Sequence, residues 1–179
     1  MEQPSLHAEL GSLGRVCRLG LASRGDGRLE VESVIEAVNR GIDYLAWCGR
    51  PDGLSAAVKR LHDRRRDLRV AVQLESRSAG EARAELREIL HELGTSYVDV
   101  LTYYYVENEA MWEEIAGPDG AAETVRSARR DGIVRAVGVA SHQLSLCAEI
   151  ARSGAVDLLM VRYNAAHRGA EEEVFPAAA

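Results

Sequence analysis

Several side chains able to do chemistry stand where a run of strand-forming residues gives way to a loop. Cys48 follows Trp47 at one such step, and a thiol there is a nucleophile if an imidazole or a helix N-terminus holds it as thiolate. No base stands beside it in the sequence, so a buried inert thiol is the competing reading. Glu75 closes the run 68–74, and its carboxylate is either a proton acceptor facing a cavity or an exposed or paired residue at a strand end. Tyr103, Tyr104 and Tyr105 come in succession, and because neighbouring strand residues point to opposite faces, at most two of the rings can share a cavity. His142 and His167 open the loops after two later runs, with Arg162 and Arg168 near them in sequence, a grouping suited to an anionic ligand. A capping or solvent-facing His142 is the alternative. No spacing of His, Cys, Asp or Glu fits a metal site.

These residues need elements to position them. Strand-like runs at 16–22, 42–47, 68–74, 98–104, 134–139 and 156–163 alternate with helical patterns, the signature of βα units and a parallel sheet. Val31, Val34, Ile35 and Val38 share one face of a first helix that Gly41 ends; Leu54, Ala57, Val58 and Leu61 repeat that spacing in a second. A third begins with the capping box Ser78-x-x-Glu81, buries Ala82, Leu86, Ile89, Leu90 and Leu93, and stops at Gly94. A fourth runs to Gly132 and a fifth to Gly154, while 169–176 reads as the start of a sixth cut short. A singly wound barrel and a doubly wound sheet both fit this pattern. The loop 23–28 lacks the glycine spacing of a dinucleotide fingerprint or a phosphate loop, which weighs against the second. The stretch 107–120, with Met111 and Trp112, is either a lid over a pocket or an amphipathic turn packed on a rim.

Composition sets the bounds. The 179 residues read as a single domain over 1–179, large enough for a real core. A net charge of -6 argues against a nucleic-acid partner, and the cluster Arg64, Arg65 and Arg66 is expected to close a helix, where cations complement its dipole. With no membrane-length apolar run and no basic-then-apolar leader, the expected location is cytoplasmic, with no membrane association. Three widely spaced cysteines, Cys17, Cys48 and Cys147, are expected to be reduced thiols.

Motifs decide what periodicity leaves open. RLGLAS (18–23), GIDYLAWCGRPDG (41–53), ELGTSYVDVLTYYYVE (92–107), GIVRAVGVASH (132–142) and VDLLMVRYNAAHRGAEEEVFP (156–176) together resemble the aldo-keto reductase family over nearly the whole chain. The resemblance implies a (β/α)8 TIM-barrel fold, here incomplete at about six βα units, with its active site at the C-terminal ends of the strands. It also implies NADP as cofactor, a small carbonyl compound as substrate, and a tetrad of Asp, Tyr, Lys and His. Aligned residue by residue, the tetrad positions hold Ala46, Pro51, Glu75 and Tyr104, none able to fill its role. The Ser and Asn that hold a nicotinamide fall at Ala140 and Ser141, and the Gln of the sixth strand falls at Met160. Ser141, His142, Tyr163 and Asn164 are the residues left as candidates to face NADP, and no tight NADPH binding is expected.

The expectation is therefore a protein of the NADPH-dependent carbonyl oxidoreductase lineage, impaired or inactive as a reductase. An alternative enzyme is a lyase or isomerase with Glu75, on the inner wall where the aligned Lys stands, and Tyr104 in acid–base roles, and Cys48 as a further candidate. The non-catalytic alternative is a binding or assembly protein. Six strands leave two sheet edges open and remove the wall opposite Ile42, Tyr44 and Val100, so a second copy or another partner is expected to cover the gap. Trp47 is expected beside the pocket.

Overall fold

The computed structural model describes residues 5–23 and 29–178. It begins with an element that the periodicity did not reveal, an antiparallel hairpin of β1 (His7–Glu9) and β2 (Arg15–Cys17) closed by a 3-10 turn at Gly11–Leu13. The strand expected over 16–22 is accordingly split. Its first half pairs with β1, and its second half, β3 (Gly20–Ala22), starts the main sheet. Most of the loop 23–28, read above for its glycine spacing, lies outside the described residues.

The main sheet has six strands, β3, β4 (Tyr44–Trp47), β5 (Arg69–Leu74), β6 (Val98–Tyr103), β7 (Val134–Ser141) and β8 (Leu158–Val161), paired in chain order and all parallel. Strand order without reversal is single winding, so the sheet curls into an incomplete (β/α)8 barrel and not a doubly wound sheet. The connecting helices are α1 (Val31–Asn39), α2 (Gly53–Arg60), α3 (Ala79–Leu93), α4 (Glu109–Ala116), α5 (Ala121–Arg130) and α6 (Leu144–Ser153), followed by the short α7 (Ala170–Glu173) and α8 (Phe175–Ala178). Among the described residues no helix is long and apolar enough to cross a membrane.

Helix ends follow local chemistry. Ser78 caps α3 by accepting from the Glu81 amide at 3.4 Å, but the Glu81 carboxylate takes the Ser78 hydroxyl at 2.8 Å and not its backbone N–H, so only half of the expected box forms. The helix stops at Gly94 with φ of 60°, as the sequence implied. The start of α2 carries the complete box: Asp52 Oδ1 accepts from the Leu54 and Ser55 amides at 2.9 and 3.1 Å, and Ser55 Oγ accepts from the Asp52 amide at 3.1 Å. Glycine is required beside that cap, because a Cβ on Gly53 would lie 1.6 Å from the Leu29 carbonyl oxygen. Gly53→Ala is thus an overpacking change that shifts backbone. A loss of roughly 1–3 kcal/mol is expected, read as a lower urea midpoint at unchanged slope; an unchanged midpoint would show that the turn yields freely.

Side chains on the outer face of the sheet, including Leu45, Val70, Val72 and Leu101, pack with Val34, Leu54, Leu86 and Ile150 of the helices to form the main core. The inner face carries a smaller cluster, Ala71, Val100 and Ala136 with Tyr44 and Ala46 beside them, plugged by Leu10 and Leu13 from the hairpin turn. Burial and, secondarily, the charge of Asp99 push the Tyr44 phenol above its ordinary value. The inward placement of Tyr44 and Val100 is seen, but Ile42 packs with the helix-side core. It precedes the first residue of β4, so the alternation of that strand does not govern it.

At the N-terminal edge of the sheet, three carboxylates accept amides of neighbouring strands: Asp43 from Cys17 at 2.7 Å, Asp99 from Val70 at 2.9 Å and Asp157 from Val137 at 2.8 Å. Asp99 is fully buried and also binds Arg65 at 2.7 Å and Arg135 at 2.9 Å. The Tyr97 ring lies between those two guanidinium groups, 4.0 Å from each. The basic cluster therefore differs from its expected role: it lies in a 3-10 segment, His62–Asp67, and Arg65 turns inward to a buried carboxylate instead of serving a helix dipole.

Candidate functional site

Barrel chemistry belongs at the C-terminal ends of the strands, and there the structure separates the residues that the sequence grouped. Ala46 lies on the inner wall. Pro51 lines a groove of about 650 Å³ between the loop after β4 and α3, walled also by Ala84 and Glu88 on the helix side of the sheet. Trp47 lines the same groove and is buried in the sheet–helix layer with its indole N–H donating to the Arg50 carbonyl at 2.8 Å, so it does not stand at the barrel mouth as expected. Two residues after Leu45 in the strand, it shares that residue's outer face.

Glu75 is exposed, not the partly buried carboxylate expected, because the chain leaves the sheet at Leu74. Its backbone amide donates to Glu85 of α3 at 2.8 Å. Tyr104 is half-buried, its amide donates to the Leu74 carbonyl at 3.0 Å, and its ring sits 5.4 Å from that of Tyr105. Among the described residues no hydrogen bond links the Glu75 and Tyr104 side chains. Cys48 is half-buried, and its amide donates to Ser23 Oγ at 3.2 Å; no described imidazole hydrogen-bonds its thiol. Tyr103 faces the helices, where burial pushes its phenol far up, and its ring meets Trp112 edge-on at 6.0 Å. Met111 and Trp112 pack against the core from α4, so the stretch 107–120 is a rim-packed helix and turn and not a lid.

The cofactor candidates diverge in the same way. Ser141 is buried and accepts the Gln143 amide at 3.0 Å. Cys147 on α6 is buried, and burial pushes its thiol up in pKa, offset in part by the Ser141 hydroxyl. Tyr163 is exposed and donates to Glu171 at 2.6 Å; that bond raises the phenol's pKa, while Arg168 and then Tyr163 hold the Glu171 carboxyl below its usual value. Asn164 caps its own turn, accepting from the Ala166 and His167 amides at 2.9 and 3.1 Å. His167 Nδ1 is drawn to the same oxygen at 3.1 Å.

His142 is different. Its amide donates to Glu107 Oε1 at 2.9 Å, its Nδ1 lies 3.6 Å from the same oxygen, and its Nε2 lies 3.4 Å from Arg162 Nη2. Gln143 Nε2 donates to Glu107 Oε2 at 3.3 Å, and the Tyr105 ring meets the imidazole edge-on at 5.0 Å. Tyr105 holds φ at 57°, a left-handed conformation rare for a bulky residue, and the buried Val106 after it donates its amide to the Ala140 carbonyl at 2.9 Å. The helix that follows is capped at Gln143 without a side-chain bond, so His142 is not its cap. Glu107 was missed by sequence reasoning, which placed it only within a motif and a loop. It is 35 residues from His142, and nothing local links them. Among the described residues no group of three His, Cys, Asp or Glu is close enough to hold a metal.

The aldo/keto reductase family profile matches residues 53–179. Among solved structures, two of Pseudomonas aeruginosa proteins assigned to the aldo-keto reductases superpose with TM-scores of 0.80 at 19% identity, covering 96% and 97% of this chain and 72% and 74% of theirs. An aldo/keto reductase from Brucella melitensis superposes with a TM-score of 0.76 at 17% identity, over 98% of this chain and 68% of that one. These likenesses show the fold. No curated protein matches the chain at a significant level.

Proposed function

Since this chain belongs to the aldo/keto reductase family, we propose that it keeps the family's scaffold for small carbonyl compounds but does not transfer hydride efficiently. The observation that carries this reading is the chain's single lysine. Lys59 belongs to α2, in the outer helix layer, paired with Glu92 at 3.4 Å. A phenol that donates its proton to a reducing carbonyl needs a neighbouring cation to ease its ionisation, and the one lysine of this sequence stands in the helix layer instead. The positions aligned with the tetrad support the same conclusion, since Ala46 and Pro51 carry no acid. NADP binding is weak on this reading, because Ser141 accepts the Gln143 amide at the start of α6 and Asn164 is engaged with its own turn. The test is NADPH consumption with a panel of aldehydes and ketones, followed by nicotinamide absorbance. The expected rate equals that without protein, and efficient turnover would overturn the proposal.

A second reading, a binding or assembly protein, is favoured by apolar side chains at the two sheet edges. Leu19 beside β3 and Met160 on β8 are 63% and 52% exposed. Light scattering would measure it. Self-association is the expected result, and a monomer without a retained partner would remove this reading.

A further inference from the structure

We propose that Glu107, His142 and Arg162 form a proton-transfer site for a small carbonyl compound that also bears a carboxylate. The three side chains come from the ends of consecutive strands, β6, β7 and β8, on the side of the sheet where barrel enzymes place their chemistry. Their polarity fixes the roles. A guanidinium only donates, so the atom it faces at 3.4 Å, His142 Nε2, presents a lone pair. The ring proton is then on Nδ1, 3.6 Å from Glu107 Oε1, and the Glu107 carboxylate is held on both oxygens by the His142 amide and the Gln143 side chain. A carboxylate behind Nδ1 orients the imidazole and stabilises the imidazolium that forms when Nε2 takes a proton. Tyr105, held in its uncommon backbone conformation, fixes the ring from the edge.

Arg162 supplies the recognition. Its planar fork matches a carboxylate, and on pairing with one it releases Nε2. Both Arg162 and His142 are exposed, so a ligand reaches them without rearrangement of the sheet. In the step itself the C–H bond next to the ligand's carbonyl breaks and the proton bonds to Nε2. The C–H electron pair becomes the new C=C bond, and the carbonyl π pair moves to oxygen, where the charge lies beside the guanidinium. Return of a proton from Nε2 to carbon reverses the step. Nothing is oxidised or reduced and no nicotinamide takes part, so the site does not depend on the hydride chemistry discussed above.

The experiment uses pyruvate, which has both groups, in D2O without cofactor, with loss of its methyl proton signal followed by NMR. The unaltered chain is expected to exchange these protons about a hundredfold or more faster than His142→Gln, the range of a positioned acid–base group. Glu107→Gln is expected to slow the maximal rate, and Arg162→Met to raise the half-saturating pyruvate concentration about tenfold with a smaller change at saturation. No exchange by the unaltered chain, or equal exchange by His142→Gln, overturns the site. Unchanged half-saturation in Arg162→Met overturns the carboxylate assignment. Should His142→Gln fail to fold, Glu107→Gln carries the same test from another strand.

Discussion

Asp99→Ala is expected to cost about 3–5 kcal/mol, the usual loss when one partner of a buried ion pair is removed. The damage comes from what stays behind. Arg65, 8% exposed, would keep its charge inside the fold with neutral partners alone: the carbonyls of Leu68 and Tyr97, the Thr95 hydroxyl and the Tyr97 ring. The Val70 amide would lose its acceptor, at the register where β5 meets β6. Arg135 adds little to the sum, since its side chain is 47% exposed and water screens the pair. For a chain of this size the loss corresponds to a fall in melting temperature of roughly 6–20 °C, measurable by calorimetry. Removing both charges together, as Asp99→Leu with Arg65→Met, is expected to recover much of it, because an apolar pair carries no stranded charge. If Asp99→Ala melts within a degree or two of the unaltered chain, the buried pair is not what holds this edge of the sheet.

The second large effect concerns the four positions aligned with the reductase tetrad, Ala46, Pro51, Glu75 and Tyr104. Restoring its four residue types, with Ala46→Asp, Pro51→Tyr, Glu75→Lys and Tyr104→His in one chain, is expected to return little NADPH-dependent reduction. A positioned general acid is worth about a hundred- to ten-thousand-fold, but that gain requires convergence. Ala46 is on the inner wall, whereas Pro51 walls the groove against α3 on the helix side, and Glu75 is exposed. Correct residue types at those places do not bring a phenol and an ammonium together. A quadruple variant that reduces aldehydes more than about a hundred times faster than the unaltered chain would sink this argument, since it would mean that side-chain identity alone separates this protein from a reductase.

What was legible in the sequence was what neighbouring residues decide among themselves. The Ser78 cap and the glycine stop at Gly94 were readable because a cap is built within one turn. The alternation of strands and helices was readable for the same reason: burial of one face imposes a period on each segment. Trp47 shows where such reading fails. Its type suggested a place at the pocket, but strand parity sends it to the helix layer, and one residue's difference in register decides between those faces. The hairpin at residues 7–17 was missed because its strands are three residues long, too short for alternation to register.

Fold class and family could be read from the chain alone, since periodicity, caps and motifs are properties of short stretches. Only the tertiary structure decided which side chains meet. Arg65 finds Asp99 across 34 positions of chain, and His142 finds Glu107 across 35 and Arg162 across 20. Curling of the sheet sets those pairings, by placing successive strand ends side by side however far apart they stand in the chain.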